Sequence, residues 1–81
     1  MMPLSFFKAG ESARVMRVGG TDATRKHLGS LGFSAGALVR VIEDADGGKI
    51  VGIHDSRLAL NDDLARRIEC EAFGASRREA V

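Results

Sequence analysis

The chain has 81 residues, carries 12 Lys plus Arg against 11 Asp plus Glu for a net charge of +1, and is 44% hydrophobic and 28% charged. That length holds one small domain and excludes a second that folds by itself, while the composition is that of a globular protein and excludes disorder along the whole chain. The apolar opening, residues 1–7, is too short to span a bilayer and lacks the basic start of a secretion signal, so the protein is expected to stay in the cytoplasm.

Residues 11–18 predict a strand, because Val15, Met16 and Val18 suit a pleated surface and Gly19-Gly20 ends it. Thr21 reads as a helix N-cap and Asp22 faces the positive helix end, which predicts a helix over residues 22–31. Arg25 and Lys26 lie on its solvent side and Gly32 is its C-terminal stop. Gly29 within it costs about 1 kcal/mol relative to Ala, which leads us to expect close packing of the helix backbone on a strand. Residues 37–43 alternate, with Val39 and Val41 on one face and Arg40 on the other. Asp44-Ala45-Asp46-Gly47-Gly48 predicts a hairpin turn, residues 49–54 the returning strand, Asp55-Ser56 a tight turn, and residues 57–60 a third strand. Asn61-Asp62-Asp63 starts one helical turn through Arg66, and residues 68–71 close the sheet.

Strands this short and closely spaced leave no room for parallel βαβ units. The expected architecture is a mainly β, SH3-like antiparallel barrel of about five strands with one short α-helix. It covers residues 1–72, with residues 73–81 as a flexible tail. Val15, Val39, Val41, Val51, Ile53, Leu58 and Leu60 are expected in the core, and Leu28, Leu31 and Phe33 at the open end of the barrel.

Chemistry-bearing motifs are weak. Gly19-Gly20 before a helix lacks the further glycines or lysine of a nucleotide loop, and no serine has a nucleophile-elbow context. Asp62 and Asp63 are explained by a helix start. Cys70 is the only cysteine, so neither an intrachain disulfide nor a multi-cysteine zinc site can form. It lies between Glu69 and Glu71, which would raise its pKa, and is expected to be structural. The remaining ligand candidates, His27 and His54, have no metal-site spacing, so Fe(II) or Zn(II) is expected to bind weakly at most, with no resident cofactor. Residues 1–42 carry +4 and residues 43–81 carry −3, but four Phe with no Tyr or Trp offer little for base stacking, so no nucleic-acid partner is expected.

The conspicuous segment is the apolar elbow Leu28-Gly29-Ser30-Leu31-Gly32-Phe33, followed by Gly36. With Pro3-Leu4-Ser5 and Gly10 before it and Ser56-Arg57-Leu58-Ala59-Leu60 after it, the chain resembles FeoA-type ferrous iron transport accessory proteins over about residues 3–71. Asp55 stands where that family commonly has Gly, a place Asp also tolerates, and the segment after Glu71 has no counterpart. The resemblance implies an SH3-like barrel in the cytosol that supports FeoB, a membrane Fe(II) transporter with a cytosolic GTPase domain. The motif residues are mostly Gly and Leu, which pack and turn but do not ligate metal.

The expected function is therefore that of a non-enzymatic regulatory module that docks on the cytosolic part of such a transporter without entering the membrane. The elbow is the expected docking face, with Leu28, Leu31 and Phe33 as apolar anchors and Arg25 and Lys26 as a basic rim. The outer positions Leu38, Arg40 and Ile42 are the second choice. An alternative is a metal-responsive domain akin to the SH3-like C-terminal domain of iron-dependent repressors. Those carry a helix-turn-helix upstream of the domain, and residues 1–81 contain none, so DNA binding by these residues in their own right is not expected.

Overall fold

In a computed structural model of the chain, residues 1–73 are described. The tail expected to be flexible lies, from residue 74 onward, outside the described residues. The elements are β1 (Met2–Pro3), a 3₁₀ turn (Leu4–Phe6), β2 (Ser12–Val18), α1 (Asp22–Ser30), β3 (Leu38–Ala45), β4 (Gly48–Ile53), β5 (Ser56–Asn61), α2 (Asp62–Arg67) and β6 (Ile68–Ala72). Six strands form one antiparallel sheet in the order β1-β6-β2-β3-β4-β5. No helix among the described residues is long and apolar enough to cross a membrane.

The alternation read from the sequence places the core. Val15, Val39, Val41, Val51, Ile53 and Leu60 are buried, while Leu58 is half-buried against them. The returning strands differ from expectation by a residue at their ends, since β-pairing extends to Ser56 and Asn61 opposite Ile53 and Gly48.

Two features lay outside the sequence reading. The first is the N-terminus, where β1 pairs with β6 and the 3₁₀ turn follows. The Phe7 N–H donates to the Leu4 carbonyl at 3.0 Å, and a three-residue repeat puts Leu4 and Phe7 on the same side, both buried. The second is the seam. β1 and β5 end the sheet without pairing to each other, and α2 packs across the gap against the 3₁₀ turn, β4 and β5. Asn61 caps α2, its Oδ1 accepting from the Leu64 N–H at 2.8 Å, and Ala65 is buried beneath it.

The glycines correct one expectation. Gly29 is exposed, and a Cβ there would meet nothing within 4 Å, so no strand lies against it. Close approach occurs instead at Gly48, where a Cβ would fall 2.1 Å from the Leu60 carbonyl oxygen. Gly48 is paired on both sides, to Ala45 and Asn61, at the tight start of β4.

Lys49 is buried, and its ammonium donates to Asp44 Oδ1 at 2.6 Å. This hydrogen bond, with help from the Ala9 N–H, lowers the Asp44 carboxyl below its ordinary value of 3.8.

Two predictions follow from these contacts. Gly29→Ala should raise stability by about 0.5–1 kcal/mol, whereas Gly48→Ala should lower it by several kcal/mol, because backbone must move; urea unfolding of both variants checks the contrast. Since folding lowers the Asp44 pKa, its contribution is present above 3.8 and is lost as pH falls through the folded value. Asp44→Asn should flatten the acid limb of the stability curve below about pH 4, read by thermal unfolding at several pH values.

Candidate functional site

The elbow is built by a helix that stops sharply. Thr21 caps α1, its Oγ1 accepting from the Thr24 N–H at 3.2 Å. At the other end the Phe33 N–H donates to the Leu28 carbonyl and the Gly32 N–H to the Gly29 carbonyl, both at 3.0 Å. With Gly32 at φ +108, this pair of bonds is a Schellman turn, and the apolar contact that goes with it falls between Leu28 and Phe33. The chain then runs to β2, where the Gly36 N–H donates to the Val15 carbonyl at 2.7 Å.

That geometry decides what the five expected docking residues can do. Leu28 is fully buried and Phe33 is 1% exposed, so these two are core residues, and their role as surface anchors is corrected by packing. Leu31, the C-cap, stays half-buried at the surface edge of the core. Arg25 and Lys26 are exposed on α1, but Arg25 is ion-paired with Asp22 of its own first turn. Lys26 is in no ion pair among the described residues. The elbow thus presents Leu31 and a basic helix face, without the larger apolar cluster.

A neighbour that sequence reasoning missed is His54. It is the single described non-glycine residue at positive φ, +54, in the two-residue turn between β4 and β5. The left-handed position therefore falls on His54 and not on Asp55. A Cβ on Gly32 would lie 2.7 Å from His54 Cδ2, so the exposed ring rests over the bare glycine backbone. Residues 32 and 54 are far apart in the chain, and no local signal joins them.

The other ligand candidates are scattered. His27 is exposed on α1, and Cys70 is buried in β6 opposite Val15 and Met2. No group of three or more His, Cys, Asp or Glu is gathered for a metal ion among the described residues. Burial pushes the Cys70 thiol up from 9.0 to about 12. Desolvation is the cause, since strand alternation turns Glu69 and Glu71 to the face opposite Cys70.

Gly32→Ala should lower stability by about 1–3 kcal/mol, from positive φ and from displacement of the His54 ring, and unfolding midpoints measure it. The Cys70 thiol of the native protein should resist a thiol reagent at about pH 8 and react fully once unfolded in denaturant; rapid native labelling would contradict its burial.

The FeoA domain family model matches residues 2–72 of the chain. A protein of Methanocaldococcus jannaschii, named as a candidate Fe(2+) transport protein A, is 31% identical over 71 residues, covering 88% of this chain and 87% of that protein. The crystal structure of an iron uptake regulatory protein, FeoA, superposes with a TM-score of 0.82 at 29% identity, covering 89% of this chain and 96% of that one. Stenotrophomonas maltophilia FeoA, solved in complex with zinc and described as a procaryotic SH3 domain protein, gives a TM-score of 0.77 at 28% identity over 88% of this chain and 91% of that one. A manganese-dependent transcriptional repressor shares the fold alone, with a TM-score of 0.82 at 21% identity over 89% of this chain and 41% of the repressor. The match from residue 2 to residue 72, on an SH3-like sheet whose elbow and turns fall where the sequence resemblance put them, makes this chain a member of the FeoA domain family.

Proposed function

We propose that the protein is a non-enzymatic accessory of ferrous iron uptake that works in the cytoplasm by docking on the cytosolic part of a FeoB-type transporter. The observation that carries this reading is the family match over nearly the whole described chain. The end of α1 supports the place of contact: Leu31 is half-buried at the Schellman turn, and the exposed Lys26 on the preceding helix has no ion partner among the described residues. Apolar contact combined with positive charge suits protein recognition, in which charge speeds encounter more than it adds affinity.

Metal enters this reading as cargo of the transporter. The zinc in the Stenotrophomonas maltophilia protein is a property of that protein. For this chain we infer weak Fe(II) or Zn(II) binding at most, because His27, His54 and Cys70 are not gathered.

The test is a titration of the purified protein against the cytosolic GTPase domain of the matching transporter, with and without nucleotide. The wild type should form a saturable complex. Lys26→Glu combined with Arg25→Glu should slow association and blunt its salt dependence while the unfolding temperature holds, since both residues are exposed. Failure of the wild type to bind overturns the reading, and unchanged association by the double variant moves the contact off α1. Isothermal titration with Fe(II) or Zn(II) should show no stoichiometric sub-micromolar site; such a site, lost in His54→Ala, would refute the inference on metal.

A further inference from the structure

The outer face of the sheet, on the far side of β3–β5 from the core, carries an arrangement that the elbow does not account for. Register aligns Ser12, Arg40, Gly52 and Arg57 in one row across β2, β3, β4 and β5. Directly paired residues share a face, so two arginines stand on either side of a residue with no side chain. They are two strands apart, roughly 9–10 Å by ordinary strand spacing. Both are exposed, and neither is in an ion pair among the described residues, whereas Arg14 on β2 is held by Glu71 at 2.7 Å.

The gap between them has a floor. Ile42 falls at an irregularity in the β3–β4 register, and strand alternation sets its apolar side chain on the outer face with Leu38 and Arg40, 36% of its surface exposed. Its Cδ1 reaches to 3.3 Å from where a Gly52 Cβ would stand, so it leans over the glycine. Arg40, Arg57 and Ile42 line a shallow groove of about 310 Å³, and a second of about 200 Å³ lies beyond Arg40 beside Leu38 and His54. Leu38 is 49% exposed.

We propose that this face binds an extended acidic–apolar peptide segment of a partner protein, with a carboxylate held between Arg40 and Arg57 and apolar side chains on Ile42 and Leu38. Paired guanidinium groups match carboxylates in charge and in fork geometry. The grooves are open and shallow, which suits a strand of peptide better than an enclosed small molecule. Glu43, next to Ile42 on β3, interrupts the positive surface, and the phenyl ring that lines the grooves is the single, half-buried Phe73. A continuous polyanion needs a longer basic track and stacking platforms, so a discrete carboxylate is favoured over nucleic acid. The proposal names a chemistry and does not depend on the transporter being the partner.

The probe is a short fluorescein-labelled peptide alternating Glu with Leu, followed by anisotropy with the full chain. Saturable binding that weakens with added salt is expected. Arg40→Gln and Arg57→Gln should each weaken it about tenfold, Ile42→Ser severalfold, and Arg66→Gln, exposed on α2, not at all. Thermal unfolding of the arginine variants should match wild type, because both side chains are exposed. A peptide with Gln in place of Glu should bind far more weakly. The proposal is overturned if the wild type shows no saturation up to millimolar concentration, if the arginine variants bind as wild type, if the Gln peptide binds equally, or if single-stranded oligothymidylate displaces the acidic peptide at lower concentration.

Discussion

The turn at Gly32 holds α1 against the core, fixing Leu28 and Phe33, both buried, on either side of one chain reversal. Of the nine residues of α1 only Leu28 is buried, and a helix this short gains little from propensity alone. Its attachment comes from Leu28, from Phe33 five residues later, and from the Phe33 N–H to Leu28 carbonyl and Gly32 N–H to Gly29 carbonyl bonds that close the turn, with Gly32 at φ +108. The absent side chain at Gly32 also leaves room for the His54 ring, which brings the β4–β5 turn against the helix end. A conformational requirement and a packing requirement meet at one glycine.

A thin core leaves the rest of the fold reliant on economical closure. β1 is two residues long, yet it pairs with β6, and the following turn buries Leu4 and Phe7. α2 fills the seam between β1 and β5, tied at its start by the Asp62 N–H to the Gly47 carbonyl at 2.8 Å. An edge covered by a helix needs no strand partner, and the sheet acquires a barrel's core without hydrogen-bonded closure.

The residues that carry the family resemblance serve this scaffold. Leu4 is buried, Gly10, Gly32 and Gly36 hold positive φ, and Leu58 and Leu60 pack inward. The proposed partner contacts fall partly on exposed or half-buried positions within those motifs, Leu31 and Arg57, and partly outside them, on Lys26, Arg40 and Ile42. The buried and turn-forming residues of the motifs set the fold, which by itself does not fix what the exposed positions recognise.

The β3–β4–β5 meander, the capped helix and its stop at Gly32 were legible in the sequence because each is a local matter: alternation with period two, a side-chain cap, a glycine after the last turn. The N-terminal strand and the role of Phe7 were not, since a 3₁₀ turn in an apolar run matches neither helical nor strand period. Gly29 and Gly48 look alike as letters, and only the approach of Leu60 to Gly48 separates an open glycine from an obligatory one. For the candidate site, the sequence identified the elbow and its five residues, but it did not divide Leu28 and Phe33 from Leu31. Local pattern determines which residues can turn, alternate or cap. Which of them face solvent, and that Arg40 and Arg57 share one row while His54 covers Gly32, is decided by strand register and by contacts between residues distant in the chain.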